Sequence, residues 1–185
     1  IPENAPDPKV AQLLAFGARV IKVRGGYAAA YDLCSAACER FGWYNRNCAI
    51  NPYLVEGKKT AGLEIAEQMA RELPDWVAVS VGDGCTIAGV HKGLSEMHAL
   101  GFIEKIPKLL GVQAEGARPI VDAFENDAEL VPGAVETLAD SIAVGVPRNW
   151  RKAVRAVRKS GGVYITVTDE EILQAMRTSA RRAGV

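Results

Sequence analysis

The run Trp76-Val77-Ala78-Val79-Ser80-Val81, followed at once by Gly82-Asp83-Gly84-Cys85-Thr86, most constrains what this chain can fold into. The run is nearly all apolar and does not alternate, which predicts a strand buried on both faces of a parallel sheet. The two glycines predict a tight loop. Ile87 to Leu100 then carries Ile87, Val90, Leu94 and Met97 at helical spacing on one face, and Gly101 stops it. Lys108 to Ala114 reads as the next strand. Strand, helix, strand in this order is a crossover unit of right-handed sense.

The remaining pattern also alternates. Lys9 to Phe16 reads as the end of a helix, Ala18 to Val23 as a short strand, and Tyr27 to Phe41 as an alanine-rich helix. Asn45, Asn47 and Asn51 mark a connection of turn formers. Lys59 to Leu73 reads as an amphipathic helix ended by Pro74. Arg148 to Lys159 predicts a helix, Val163 to Val167 a strand and Asp169 to Ala183 a final helix. Thr168 and Glu171 have the spacing of a capping box. The sum is an α/β fold, a largely parallel sheet with helices on both faces.

Composition narrows the function classes. Lys+Arg and Asp+Glu number 22 each, so a net charge of zero gives no reason to expect nucleic acid or an anionic membrane. No apolar run approaches the ~20 residues of a membrane helix, and the start has no signal-peptide pattern. The basic helix bearing Arg148, Arg151, Lys152, Arg155, Arg158 and Lys159 reads as a solvated face, balanced by Glu125, Asp127 and Glu129. Cys34, Cys38, Cys48 and Cys85 fit no zinc or redox spacing, and with only His91 and His98 to help them no metal site is expected. Cys34 and Cys38 share a helix face. Sparse cysteine fits the cytoplasm. The chain opens at Ile1 with Pro2, Pro6 and Pro8 and stops at Val185 after a helix, as a piece of a longer chain would.

The loop Gly82 to Thr86 carries the chemistry. N–H groups of a glycine-rich turn and of the following helix start make an anion site suited to a phosphate. Thr86 is placed to cap that helix and to offer its hydroxyl. Asp83 is awkward, because a carboxylate repels phosphate, so its side chain should turn away from the anion, or toward a cofactor ring or a hydroxyl donor. Two ligands compete. A dinucleotide needs a third glycine where Ile87 stands, and an acidic residue nearer than Glu115. A mononucleotide-type cofactor needs the cradle alone.

Six ordered segments carry a resemblance. They are Asn51-Pro52-Tyr53-Leu54-Val55-Glu56-Gly57-Lys58-Lys59-Thr60, Val81 to Thr86, Gly111-Val112-Gln113-Ala114-Glu115-Gly116-Ala117, Ser141 to Pro147, Ser160-Gly161-Gly162, and Val167 to Ile172. In order and spacing they resemble threonine synthase and its relatives among the fold-type II pyridoxal-phosphate (PLP) enzymes. The resemblance implies a remnant of a small domain over 1–46 and a PLP-phosphate-binding large domain over 47–185. It puts the cofactor's phosphate on Gly82, Asp83, Gly84, Cys85 and Thr86, and Glu115 and Gly145 near the cofactor ring. It puts Lys59 and Thr60, opening a helix, near the active-site entrance as substrate-binding residues. It implies a small amino-acid substrate and a homodimeric parent.

Departures sharpen the expectation. None of the nine lysines stands in the context of the family's Schiff-base lysine, which the resemblance puts upstream of Ile1, so no catalytic residue is expected in this chain. The family's serine two positions before Asn-Pro is Ala49, its arginine two positions after is Leu54, and the usual first asparagine of the cradle is Asp83. Losing a hydroxyl and a guanidinium while gaining a carboxylate weakens the grip on a phosphorylated substrate. The parent is therefore expected to be a lyase on a substrate other than O-phosphohomoserine. Serine/threonine ammonia-lyase and β-replacement chemistry are the alternatives. A dinucleotide-binding dehydrogenase domain and a non-catalytic binding domain stay open as rivals.

Overall fold

Asn51 sets the start of the longest helix: its side-chain oxygen accepts the Tyr53 N–H at 3.1 Å, and Pro52 stands at the first helical position. The computed structural model describes residues 1–69 and 71–185. The chain forms two compact units, Ile1–Ile50 and Asn51–Val185.

The first unit holds α1 (Asp7–Ala15) and α2 (Tyr27–Phe41), the latter closed by Gly42 in the left-handed conformation at φ 68°. The strand expected over Ala18 to Val23 is absent. Only Val23 pairs, in a single bridge with Pro2: Val23 N–H donates to Ile1 O at 2.8 Å, and Glu3 N–H to Val23 O at 2.9 Å. The facing segment is too short to support a ladder. Cys34 and Cys38 do share a face; burial, then the hydrogen bond to Cys34, push the Cys38 thiol above its usual range.

The second unit begins with α3 (Pro52–Gln68), which starts seven residues before the helix expected from Lys59. Proline and asparagine, read from sequence as a turn, here act as helix starters. Ala70, inside the expected 59–73 helix, lies outside the described residues. There follow β1 (Trp76–Ser80), α4 (Cys85–Ala99), β2 (Lys108–Ala114), α5 (Pro119–Glu125), α6 (Trp150–Lys159), β3 (Val163–Val167) and α7 (Asp169–Ala183). One-turn 3-10 segments span Glu115–Ala117 and Asp140–Ile142. The three strands are parallel in the order β1-β2-β3, with Ser80 opposite Val112 and Ala114 opposite Val167. All their carboxyl ends therefore lie at one edge of the unit.

One face of the sheet meets α4, α5 and α6 around a core that includes Ile87, Leu94, Leu109, Ile120, Val121 and Val157. On the other face Trp76, Val163 and Ile165 remain 45%, 42% and 40% exposed. The expectation that β1 is buried on both sides therefore fails: Trp76, Ala78 and Ser80 face outward and Val77 and Val79 inward. Tyr164 packs its ring where Gly111 has no side chain, since a Cβ there would lie 2.2 Å from the ring.

α3 and α4 approach backbone to backbone. A Cβ on Gly62 would lie 2.4 Å from Val90 O, one on Gly93 2.4 Å from Lys59 O, and one on Gly89 2.8 Å from the Lys58 Cβ. The contact steps from Lys58–Gly89 to Gly62–Gly93, one turn along each helix in the same sense. Both helices thus begin at the strands' carboxyl edge. α6 turns its basic residues outward, with Arg151 to Glu129 at 2.6 Å and Arg158 to Asp127 at 2.6 Å. α7 carries the expected capping box: Glu171 N–H donates to Thr168 Oγ1 at 3.2 Å and Thr168 N–H to Glu171 Oε2 at 2.8 Å. No described helix is long and apolar enough to cross a membrane.

Candidate functional site

The cradle loop leaves β1 at a fixed height, because Val81 N–H donates to Val112 O at 2.8 Å. Gly84, at φ +88°, then turns the chain into α4. The helix N-cap is therefore Gly84, with no side-chain cap bond, and the capping role expected of Thr86 is not realised. Thr86 sits in the first turn with its side chain exposed, and Cys85 is buried. Besides the tight turn expected of them, the glycines serve a packing contact. A Cβ on Gly82 would lie 3.1 Å from Ile142 Cα and from Val144 Cγ2, and one on Gly84 2.7 Å from the Ala153 Cβ. Protein, not open space, backs both, so their lack of a side chain seats the loop on its neighbours.

The amides remain available. Among the described residues, no acceptor takes the N–H of Gly82, Asp83, Gly84, Thr86 or Ile87. Unpaired N–H groups at the positive end of a helix are the donor set a phosphoryl group requires. A further donor nearby is also unclaimed. Asn149 is 5% exposed, its backbone oxygen lies 3.3 Å from where a Gly84 Cβ would be, and its Nδ2 has no acceptor among the described residues.

Asp83 turns from the loop toward the start of α6. Its Oδ1 accepts the Arg148 N–H at 2.8 Å, and its backbone oxygen accepts the Asn149 N–H at 3.2 Å. The carboxylate thus lies at a helix start, where the dipole favours negative charge. Burial raises its pKa above the usual aspartate value, against the lowering effects of the Arg148 N–H and the Arg148 and Lys58 charges. The side chain turns to a backbone N–H at the start of α6, and not to a hydroxyl donor.

Glu115 follows β2 at the same edge of the sheet and is exposed. Gly145 follows the segment that packs on Gly82; its oxygen accepts the Gly133 N–H at 3.0 Å, and a Cβ there would lie 2.5 Å from Gly133 O. Lys59 and Thr60 do not open a helix; they lie in the middle of α3. Lys59 is ion-paired with Glu56 at 3.1 Å and Glu96 at 2.8 Å, and both glutamates also pair with Lys92. Thr60 Oγ1 donates to Gly57 O at 2.8 Å. Both groups are engaged within the helix pair, and neither is brought to the cradle.

Gln113 was missed as a functional residue. It is fully buried. Its Nε2 donates to Val81 O at 3.2 Å, and its Oε1 accepts the Ile120 and Val121 N–H groups at 3.0 Å each. It fixes the residue before the loop to the first turn of α5. The signal was present: an amide inside an otherwise apolar strand must find partners.

Known proteins resemble the chain in sequence and in fold. The family model described as "Pyridoxal-phosphate dependent enzyme" matches residues 1–185. Threonine synthase of Methanosarcina acetivorans is 42% identical over 96% of this chain and 44% of its own length. The threonine synthase of Methanocaldococcus jannaschii is 40% identical over the same shares. The chain thus spans a little under half of these relatives. Among solved structures, a pyridoxal 5'-phosphate-dependent aspartate racemase covers 100% of the chain and 54% of its own, at TM-score 0.81 and 22% identity. Maize serine racemase covers 100% and 53%, at TM-score 0.79 and 23% identity. These two share the fold. A match over every residue, joined to relatives at 42% and 40% identity, makes the chain a member of the pyridoxal-phosphate-dependent enzyme family.

Proposed function

We propose that this chain forms the phosphate-binding part of a PLP-dependent lyase of amino-acid metabolism, threonine synthase-like, acting on a substrate other than O-phosphohomoserine. In this reading Ile1–Ile50 corresponds to a small-domain remnant and Asn51–Val185 to the large domain, a division four residues beyond the one expected from sequence. The observation that carries it is that, among the described residues, no acceptor takes the amides of Gly82, Asp83, Gly84, Thr86 and Ile87 at the tip of β1. Such amides at a helix start support a site for one phosphoryl group. Gly82, Gly84 and Thr86 would hold it, with Gln113 and the Asp83–Arg148 bond keeping the loop in shape. Glu115 and Gly145, at the same edge, would border the ring. PLP, when bound, supplies the electron sink that lets bonds at an amino acid's α-carbon break. The protein part described here binds and orients; the Schiff-base lysine is proposed to belong to sequence outside these residues, and the active form to be a cytoplasmic homodimer.

The substrate reading rests on Ala49, Leu54 and Asp83, which offer a phosphorylated substrate no hydroxyl or guanidinium and one carboxylate. A second reading, threonine formation as the relatives' name says of them, is supported by the 42% identity. Two measurements test the proposal. Titration with pyridoxine 5'-phosphate and with pyridoxine should reveal binding of the phosphate-bearing compound alone, while NAD binds no better than pyridoxine. The full-length parent, carrying the lysine, should deaminate serine or threonine, or exchange their β-substituent, and leave O-phosphohomoserine unchanged, while this chain alone should turn over none of them. Equal binding of both vitamers would remove the cradle assignment, and brisk threonine formation would remove the substrate assignment.

A further inference from the structure

Two adjacent lysines on α3 have opposite surroundings. The Lys59 ammonium is neutralised by Glu56 and Glu96. Lys58, half-buried, is in no ion pair among the described residues. Its backbone is pressed onto the cradle helix: a Cβ on Gly89 would lie 2.8 Å from the Lys58 Cβ and 3.0 Å from its carbonyl carbon. Gly89 is four residues, one turn, beyond Cys85, the first residue of α4. α3 and α4 run in the same sense, and helical side chains lean toward the N-terminus. The four-carbon stem of a lysine spans about one helical turn. From the level of Gly89, the Lys58 ammonium is thus carried back toward the level of the cradle. Its charge acts on the Asp83 carboxyl, which agrees with that placement.

We infer that Lys58 is an anion-binding residue of the Gly82–Ile87 cradle, supplying the positive charge that faces a bound phosphoryl group. The inference rests on the cradle reading above and assigns its charge partner to a residue that the sequence pattern left aside in favour of Lys59. The loop amides offer directed N–H donors but no net charge. Asp83 adds a negative one, partly compensated at the start of α6. A phosphate dianion beside them requires a cation, and Lys58 is the unpaired one on the adjoining helix face. With Lys58 in place the loop accommodates an aspartate without losing its preference for phosphate.

The test compares pyridoxine 5'-phosphate with pyridoxine by calorimetric titration of the purified protein; neither carries an aldehyde, so neither forms lysine adducts. Lys58→Gln should weaken pyridoxine 5'-phosphate about tenfold, as expected for loss of one charge-assisted contact, and leave pyridoxine unchanged. The salt dependence of phosphate binding should flatten in the same variant. Lys58→Arg should retain most of the affinity, and Lys59→Gln, whose charge is already neutralised, should bind as the parent does. Thermal melting of each variant separates binding from folding. If Lys58→Gln binds the phosphate compound as tightly as the parent, or weakens both compounds equally, Lys58 has no such role. If the parent itself does not distinguish the two compounds, the cradle reading falls, and the Lys58 assignment with it.

Discussion

The same chemical change, glycine to alanine, should act with opposite sign at two positions of the α3–α4 pair. Gly57 lies within α3 with nothing within 4 Å of where a Cβ would stand. Gly57→Ala should therefore stabilise the protein by about 0.5–1 kcal/mol, the helix-interior penalty of glycine. At Gly93 the new methyl would lie 2.4 Å from Lys59 O, 3.0 Å from Leu63 N and 3.1 Å from Gly62 Cα. These are backbone atoms of an intact helix and have no rotamer in which to yield. Restoring an ordinary contact requires the helices to separate by roughly 1 Å. That overpacking costs about 1–3 kcal/mol, at the upper end here, against about 1 kcal/mol of gained propensity. The net expectation for Gly93→Ala is a loss of about 2 kcal/mol, so the two variants should differ by about 3 kcal/mol. Urea unfolding followed by circular dichroism reads this as opposed shifts of midpoint at unchanged slope. A Gly93→Ala variant as stable as the parent would refute the close helix approach.

Two further outcomes follow from the buried polar groups. Asp83 has its pKa raised, chiefly by burial, so the folded state favours its protonated form and the associated stability is lost as pH rises from the usual aspartate range through the raised value. Asp83→Asn keeps an acceptor for the Arg148 N–H without the charge. It should be more stable than the parent at pH 7 by at most about 1 kcal/mol, given the group's partial exposure, with the gap closing below the usual aspartate range; a gap that widens on acidification would contradict this. Gln113→Leu should cost roughly 3 kcal/mol by stranding the Ile120 and Val121 amides, whereas Gln113→Glu, which accepts from both but can donate to Val81 O only when protonated, should lose less at acid pH than at pH 7 in the same urea assay.

Much of the fold was legible because period and punctuation agreed. Tyr27–Phe41, Lys108–Ala114, Val163–Val167 and Asp169–Ala183 stand where the residue pattern put them. The misreadings have physical causes. Asn-Pro reads as part of a turn, although the same pair starts helices when asparagine caps the second amide beyond it. The Ala18–Val23 run has strand composition but no partner long enough to pair with it. β1 is apolar throughout, yet one face is open, and hydropathy alone does not report what covers a sheet. At the site, the glycine turn between a strand and a helix over Gly82 to Thr86 was legible. The bond between Asp83 and Arg148 was not, because it joins residues 65 positions apart through a backbone N–H that no side-chain pattern announces. Lys58 and Lys59 were indistinguishable as letters; only the facing helix, with Glu96 near one and Gly89 beneath the other, separates them.

That span has a temporal consequence. A growing polypeptide that has left the ribosome only as far as Ala114 already contains β1, α4 and β2, and its glycine-rich turn is complete in covalent terms. The tether that holds the turn arrives only with Arg148 and Asn149. Synthesis therefore separates the making of the hydrophobic layer from the fixing of the glycine turn, which is complete only once the start of α6 has emerged.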